Sequence, residues 1–218
     1  MYKFFRTTLL VLLIFGFMVS CGKSGEQKKT EAKAKKPQTT ESANKMEKHL
    51  SPPEKPYVMA KDPHLVIETD MGNMEMVLYL KESPMTASNF LYLVRQHFYD
   101  GLTFHRVIPG FVIQGGDPKG NGTGGPGYMI KFEKNDKKHI PGAVAMARSR
   151  DPNSAGSQFY IALQALPHLD GKYCVFGQLV SGLDVAKKIA AVKCDNRDKP
   201  LTPIHIIKIY EKKGSATK

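Results

Sequence analysis

Cysteine is scarce in this 218-residue chain: Cys21, Cys174 and Cys194 are the only three, and no two of them form a C-x-x-C pair. The seven histidines are scattered, so no spacing resembles a zinc site and no metal is expected. Cys174 lies in an apolar run and Cys194 in a polar loop; in an exported protein they could pair, and the spacing alone leaves that open. Long apolar runs are lacking too. The longest, Leu9 to Val19, is about eleven residues, too short to span a bilayer comfortably. No internal repeat is present. The glycine-rich stretch Gly115 to Gly127, G-G-D-P-K-G-N-G-T-G-G-P-G, lacks the Gly-Lys-Ser/Thr ending of a phosphate-cradling loop and opens no helix, which argues against nucleotide binding. It suits a loop bordering a peptide groove, where bare backbone can approach a ligand. Acidic excess is also missing, since the formal charge is +12. Residues 1–21 carry +2 of it, 22–56 carry +4 and 57–218 carry +6. No Lys/Arg stripe with interleaved aromatics concentrates that charge, so it reads as a solvated basic surface and no nucleic acid is expected. Attraction to an anionic membrane surface fits the same charge.

What is present falls into four segments. Residues 1–20 read as an export signal: Lys3 and Arg6 precede the apolar run. Met18-Val19-Ser20-Cys21 resembles a bacterial lipoprotein cleavage site, with Met18 where Leu is usual. That resemblance implies cleavage before Cys21, a diacylglyceryl group on its sulfur, and a mature protein held on a membrane of the bacterial cell envelope by its acyl chains. A plain secretory signal with an incidental cysteine is the alternative. Residues 21–56 then read as the lipidated cysteine and a disordered Lys-rich tether, because Lys, Glu, Gln, Thr, Ser and Pro dominate and too little apolar surface is available to offset ordering entropy. Residues 57–213 are the globular domain, and 214–218 a disordered tail.

Within the domain, His64 to Thr69 alternates as a strand, Asp70 to Asn73 turns, and Met74 to Leu80 returns as a hairpin partner. Ser83-Pro84 places an N-cap before proline at the first helical position, and Phe90, Leu91 and Val94 continue at helical spacing, so 84–96 is expected as a helix. Further strands are expected at Ala143 to Ala147, Gln158 to Leu163, Tyr173 to Leu179 and Ile204 to Tyr210, with a second helix from Leu183 to Val192. About eight strands and two helices without β-α-β regularity predict a mainly β fold, a closed antiparallel barrel.

The organising stretch is Phe104 to Asp117, F-H-R-V-I-P-G-F-V-I-Q-G-G-D. Two apolar runs are parted by a Pro109-Gly110 turn. In a strand, Val112 and Gln114 share one face and Ile113 takes the other. One guanidinium, one amide and several apolar groups would then form a small pocket suited to a largely hydrophobic ligand that carries an amide. All fourteen positions fit the signature of the cyclophilins, a family of peptidyl-prolyl cis-trans isomerases. A second block, A-M-A-R-S-R-D-P-N-S-A-G-S-Q-F-Y-I from Ala145 to Ile161, and a third, Leu169-Asp170-Gly171-Lys172 with Val175-Phe176-Gly177, follow in order. The resemblance covers roughly His64 to Glu211.

The resemblance implies a closed eight-stranded cyclophilin-like barrel capped by two helices, proline-containing polypeptides as partners, and catalysis without cofactor or metal. It implies that Arg106 is the catalytic donor and that Gln114 orients the substrate amide. Phe111, Val112, Tyr160 and Leu169 would hold the proline ring, Phe111 and Leu169 being the firmest. Ala147 and Arg148 would pair through backbone with the extended peptide, and Gln158 would line the neighbouring groove. His105 is expected to be a satisfied structural histidine. Four positions depart from the family pattern: Val112 where Met is common, Tyr160 where Phe is, His168 where Trp occurs, and Tyr173 where His occurs. The indole missing at His168 predicts weak cyclosporin binding. A non-catalytic binder of proline peptides, or a surface adhesin on the same fold, is the rival reading, and binding of anionic polymers by the Lys-rich tether is compatible with either.

Overall fold

A computed structural model of the chain describes residues 50–213. The expected export signal, the lipid attachment at Cys21, the tether up to residue 49 and the tail 214–218 lie outside the described residues. The last part of the expected tether lies inside them, and Leu50 packs against the domain core.

Eight strands and two α-helices make up the domain. In chain order they are β1 (His64–Thr69), β2 (Gly72–Leu78), α1 (Pro84–Arg95), β3 (Arg106–Ile108), β4 (Val112–Gly115), β5 (Ala143–Met146), β6 (Phe159–Ala162), β7 (Val175–Ser181), α2 (Leu183–Ala190) and β8 (Ile206–Glu211). Short 3₁₀ turns, not anticipated from the sequence, occupy Pro152–Ser154 and Pro167–Leu169. The strands form one antiparallel sheet in the order β3-β4-β6-β5-β7-β2-β1-β8. Register shifts break the β1/β8, β2/β7 and β5/β7 ladders, and such bulges curl a sheet.

The expected barrel closure is not found. Among the described residues no ladder joins β3 to β8, so the sheet is an open half-barrel. The seam is bridged instead by irregular backbone, with Gly101 N donating to Ile206 O at 2.8 Å, Ile206 N to Leu102 O at 2.7 Å and Phe104 N to Ile204 O at 3.0 Å. Three residues of β3 are too few to pair along β8, and the segment before them does that work.

The core fills the concave side. Leu65 and Ile67 of β1 alternate inward with Met74, Met76 and Leu78 of β2, the period-two pattern of a half-buried sheet. Phe90 of α1 packs among Tyr99, Phe159 and Phe176, edge-on to Phe159 and tilted against the other two, at centroid distances of 4.8–5.3 Å, and α2 adds Val185, Ala186 and Ile189 to the same core. α1 begins where expected, with a different cap. Ser83 makes no side-chain cap because its hydroxyl donates to Val175 O at 3.0 Å. The carboxylate of Glu133 accepts instead from the backbone N–H of Met85 and Thr86 at 3.0 and 2.6 Å, which satisfies the first turn from outside.

Strands β4, β5 and β6 are buried on both faces. On the convex side a second, smaller cluster gathers Val112, Ala143, Ala145, Tyr160, Ala162, Leu166 and Val175, with Phe111, Ala147, Leu169 and Tyr173 half-buried around it. Cys174 and Cys194 are both free, so no disulfide joins them. Cys174 is buried, its sulfur 3.5 Å from the hydroxyls of Ser83 and Thr86. Among the described residues no helix is long and apolar enough to cross a membrane, and no group of three or more His, Cys, Asp or Glu could hold a metal ion.

Candidate active site

β3 and β4 are antiparallel with Arg106 opposite Gln114 and Ile108 opposite Val112. Residues facing each other across such a pair put their side chains on one side of the sheet, so the guanidinium and the amide stand together. Ile113 points the other way into the core and is fully buried. The two strands need the intervening Pro109-Gly110 turn, and Gly110 adopts φ +68°, a conformation that favours glycine.

Arg106, Phe111, Val112 and Gln114 line a pocket of about 160 Å³ together with Ala147, Arg148, Tyr160, Leu169 and Tyr173. Nine of the eleven residues expected around the site thus meet at one concavity on the convex cluster. Of the other two, His168 stacks on Phe111 at 6.3 Å between ring centroids, forming an outer flank, and Gln158 sits next door. There a larger cavity of about 600 Å³ runs from Gln114, Ala147 and Arg148 to Gln158 and the glycine loop at 122–127.

The amide of Gln114 is oriented by a short chain of donors. Its Nε2 donates to Gln158 Oε1 at 3.0 Å, and Gln158 Nε2 donates to Gly122 O and Gly124 O at 3.0 and 2.9 Å. The loop itself is organised by Asp117, whose carboxylate accepts from the N–H of Lys119, Asn121 and Gly122 at 2.8, 3.0 and 2.5 Å. Burial pushes the Asp117 carboxyl up, and the three backbone donors outweigh it, holding it below the usual carboxylate range. A Cβ on Gly124 would fall 2.0 Å from Asp117 Oδ1, so this carboxylate requires bare backbone there.

Arg106 is not held by Gln114. Its Nε lies 3.5 Å from Asp198 Oδ2, in an ion pair whose side chains are 40% and 47% exposed. Asp198 sits at φ +63° at the tip of a loop closed by Asp195, whose carboxylate accepts from Arg197 N and Lys199 N at 2.8 and 3.0 Å. The carbonyl of Asp198 also accepts from Val107 N at 2.8 Å, tying the loop to β3. Asp198 was not among the expected site residues. Its run, Asp195-Asn196-Arg197-Asp198, is legible as a turn, and nothing in it points to a partner on β3.

Two further expectations are modified. The N–H of Ala147 already donates to Gln158 O at 2.9 Å, so only its carbonyl is left for an extended peptide. Arg148 turns its side chain to the pocket rim: its guanidinium lies 4.5 Å over the Tyr173 ring, and its N–H groups donate to Ser149 O and Lys172 O at 2.9 and 3.0 Å. His105 is buried as expected and is not satisfied, since neither ring nitrogen has a hydrogen-bond partner among the described residues. Burial is the largest influence on it and keeps its imidazole below the ordinary range, hence neutral.

The back wall is Tyr160. Its neighbours are Tyr173, edge-on at 6.0 Å, and His139, which sequence reasoning did not single out. Chemically, the pocket offers the Arg106 fork, a second guanidinium from Arg148 at its rim, one fixed amide and an apolar floor. It presents no nucleophile aligned with a base, so it can bind and distort a neutral peptide group rather than cleave one.

The sequence pattern described as "Cyclophilin type peptidyl-prolyl cis-trans isomerase/CLD" matches residues 64–211. The peptidyl-prolyl cis-trans isomerase ppi1 of Schizosaccharomyces pombe is 42% identical over 146 residues, covering 65% of this chain and 94% of that protein. Peptidyl-prolyl cis-trans isomerase B of Bacillus subtilis is 50% identical over 123 residues, covering 56% and 85%. Among solved structures, a cyclophilin type peptidyl-prolyl cis-trans isomerase of Cryptosporidium parvum superposes with a TM-score of 0.67 at 34% identity, covering 69% of this chain and 98% of that one.

Proposed function

This chain belongs to the cyclophilin-type peptidyl-prolyl cis-trans isomerases, and from that premise we propose how its pocket accelerates rotation about an X–Pro bond and where it does so. The planar amide resists rotation by about 18–20 kcal/mol because nitrogen shares its lone pair with the carbonyl. Halfway round, that lone pair localises on the prolyl nitrogen and becomes a better acceptor. A donor placed there binds the twisted state more strongly than either planar state, which is what catalysis requires. Arg106 is that donor: a guanidinium stays charged at any working pH and offers several N–H groups in a rigid fork. With Nε engaged by Asp198, its terminal nitrogens are the ones left for substrate.

The prolyl ring sits against Phe111, Val112, Tyr160 and Leu169, and Gln114 fixes the peptide group beside it. Tyr and Val at the two departing positions keep an apolar body, so the pocket keeps its character with a changed shape. The observation that carries the assignment is the register of β3 and β4, which sets Arg106 directly across from Gln114 at the mouth of an apolar pocket. The chemistry uses no cofactor.

The protein works at the bacterial cell envelope on exported polypeptides, moored by a lipidated Cys21 through the Lys-rich segment that follows. Support for this is the order of the segments in the sequence: two early cations, an apolar run of signal length and a cysteine after Ser20. Mass spectrometry of the mature N-terminus is expected to find a diacylglyceryl cysteine at position 21, and an unmodified chain beginning elsewhere would refute the anchor. Exchange NMR on an X–Pro peptide compares the full protein with Arg106→Ala. Loss of most of the turnover is expected, and equal rates would leave only the binder. Cyclosporin inhibits weakly because His168 offers no indole, and nanomolar inhibition would contradict this.

A further inference from the structure

Behind the pocket lies a run of buried polar groups that the rotation chemistry leaves unexplained. Tyr160 turns its ring to the pocket and its hydroxyl away, to a point 2.9 Å from His139 Nε2. The other ring nitrogen, Nδ1, is 2.9 Å from Asp170 Oδ1, and the same oxygen accepts the backbone N–H of His139 at 2.9 Å. The His139 side chain has no exposed surface, and Tyr160 is 5% exposed. Three separate parts of the fold meet here: β6 through Tyr160, the loop before β5 through His139, and the 167–169 turn through Asp170. That turn carries Leu169 into the pocket and stacks His168 on Phe111. The run therefore joins the back wall of the pocket to its flank.

The protons can be placed. The backbone and ring N–H donors of His139 hold the Asp170 carboxyl below its usual range, so it is ionised and only accepts. Nδ1 must then carry hydrogen. Burial, the largest influence on His139, keeps its imidazole below the ordinary range against the opposing pull of Asp170, so the ring is neutral and Nε2 presents a lone pair. The Tyr160 hydroxyl donates to that lone pair. Donation runs one way, from Tyr160 to His139 to Asp170.

We propose that His139 and Asp170 are positioning residues for the isomerisation, setting the separation between the Tyr160 ring and the 167–169 turn that a prolyl ring must fit, and that turnover consequently requires His139 to be neutral. The proposal rests on the reading that Tyr160 walls the proline pocket. When His139 gains a proton, Nε2–H donates to the Tyr160 oxygen across the same 2.9 Å and the direction of the bond reverses. The hydroxyl hydrogen must then swing into buried surroundings, where an unpaired donor costs free energy that a shift of the Tyr160 side chain relieves. The groups bearing on this proton come from every side. Asp170 favours it. Lys138, 3.7 Å from Asp170 Oδ2, weakens that pull, and His168 opposes it. Tyr173, Arg148 and Cys174 act on the Tyr160 hydroxyl.

The test follows kcat and KM for an X–Pro peptide by exchange NMR on the full chain, from about pH 8 to about pH 5, for the wild type, His139→Gln and Tyr160→Phe. Glutamine keeps a polar side chain and takes no proton; phenylalanine removes the hydroxyl. The wild type is expected to lose kcat/KM below the ordinary imidazole range, approaching about tenfold per pH unit as one proton binds. Both variants are expected to start about three- to tenfold lower at the alkaline end and to stay flat. Asp170→Asn, having lost the charge that favours the proton, moves the acid limb to lower pH. A wild type flat to pH 5, or an acid limb unchanged in both variants, overturns the proposal. Ring ¹⁵N resonances decide it independently of turnover and of variant folding: neutral His139 protonated on Nδ1 supports it, and the Nε2–H tautomer overturns it. Arg106→Ala serves as the separate control on the pocket itself, since it should cut turnover about 10²-fold and leave the His139 tautomer unchanged.

Discussion

The two faces of β6 are built from different stock. Phe159 and Ile161 turn inward, into a core where Phe90, Tyr99 and Phe176 interlock. Tyr160 and Ala162 turn outward into a cluster in which three of seven buried residues are alanine. Both faces are dry, and they do different work. Large rings on the concave side fill space and hold the sheet to its helices. Small residues on the convex side leave room, and the room is the pocket. A single residue step along one strand thus separates the aromatic core from the pocket wall, and each side has its own polar groups: His139 and Asp170 behind Tyr160, and in the core the Tyr99 hydroxyl on Ser157 O and the Asn89 amide on Gly156 O.

That separation can be broken experimentally. The largest effect should come from Phe159→Ala. Denaturant unfolding is expected to show a loss of about 3–5 kcal/mol, with kcat/KM per folded molecule nearly unchanged. Arg106→Ala should do the reverse, cutting X–Pro turnover about 10²-fold, roughly 2.7 kcal/mol of transition-state stabilisation, while stability stays within about 0.5 kcal/mol. If Arg106→Ala unfolded the domain as Phe159→Ala does, the two faces would not be separable. Asp198→Ala sharpens the picture at smaller amplitude. Freeing Nε of Arg106 should lower kcat about fivefold, more than it raises KM, with an exposed ion pair contributing less than about 1 kcal/mol to folding. Smallest is the dependence of stability on pH. His105 and His139 both have folded-state values held down by burial, so the unfolded chain binds the extra protons. Their contribution is fully present above the unfolded imidazole value of about 6.5 and is lost as pH falls from there through the lower folded values. Chemical denaturation across that window should show stability rising with pH, and a fall would contradict the burial of neutral rings.

Much of this was legible in the chain. Alternation announced β1 and β2, and within the Phe104 to Asp117 block it placed Val112 and Gln114 on one face and Ile113 on the other, because strand periodicity fixes side-chain direction without tertiary knowledge. Other features depend on what the fold brings together. Ser83 looked like a cap until Val175 claimed its hydroxyl and Glu133 took over the first turn of α1. Asp198 could be read as a turn residue, and no local rule says that the turn ends beside Arg106. The opening between β3 and β8 reflects the shortness of β3, a matter of one or two ladder bonds that patterning does not resolve. His139 was one histidine among seven, and only the meeting of β6, the loop before β5 and the 167–169 turn gives it its partners Tyr160 and Asp170.

The central claim is that the Arg106 guanidinium lies over the prolyl nitrogen. A crystal or NMR structure with an X–Pro peptide seated among Phe111, Val112, Tyr160 and Leu169 tests it directly. The expected result is a terminal guanidinium nitrogen within about 3 Å of the prolyl nitrogen or its flanking carbonyl, with Nε still on Asp198. A guanidinium turned away from the bound proline while the peptide fills the pocket would contradict the account.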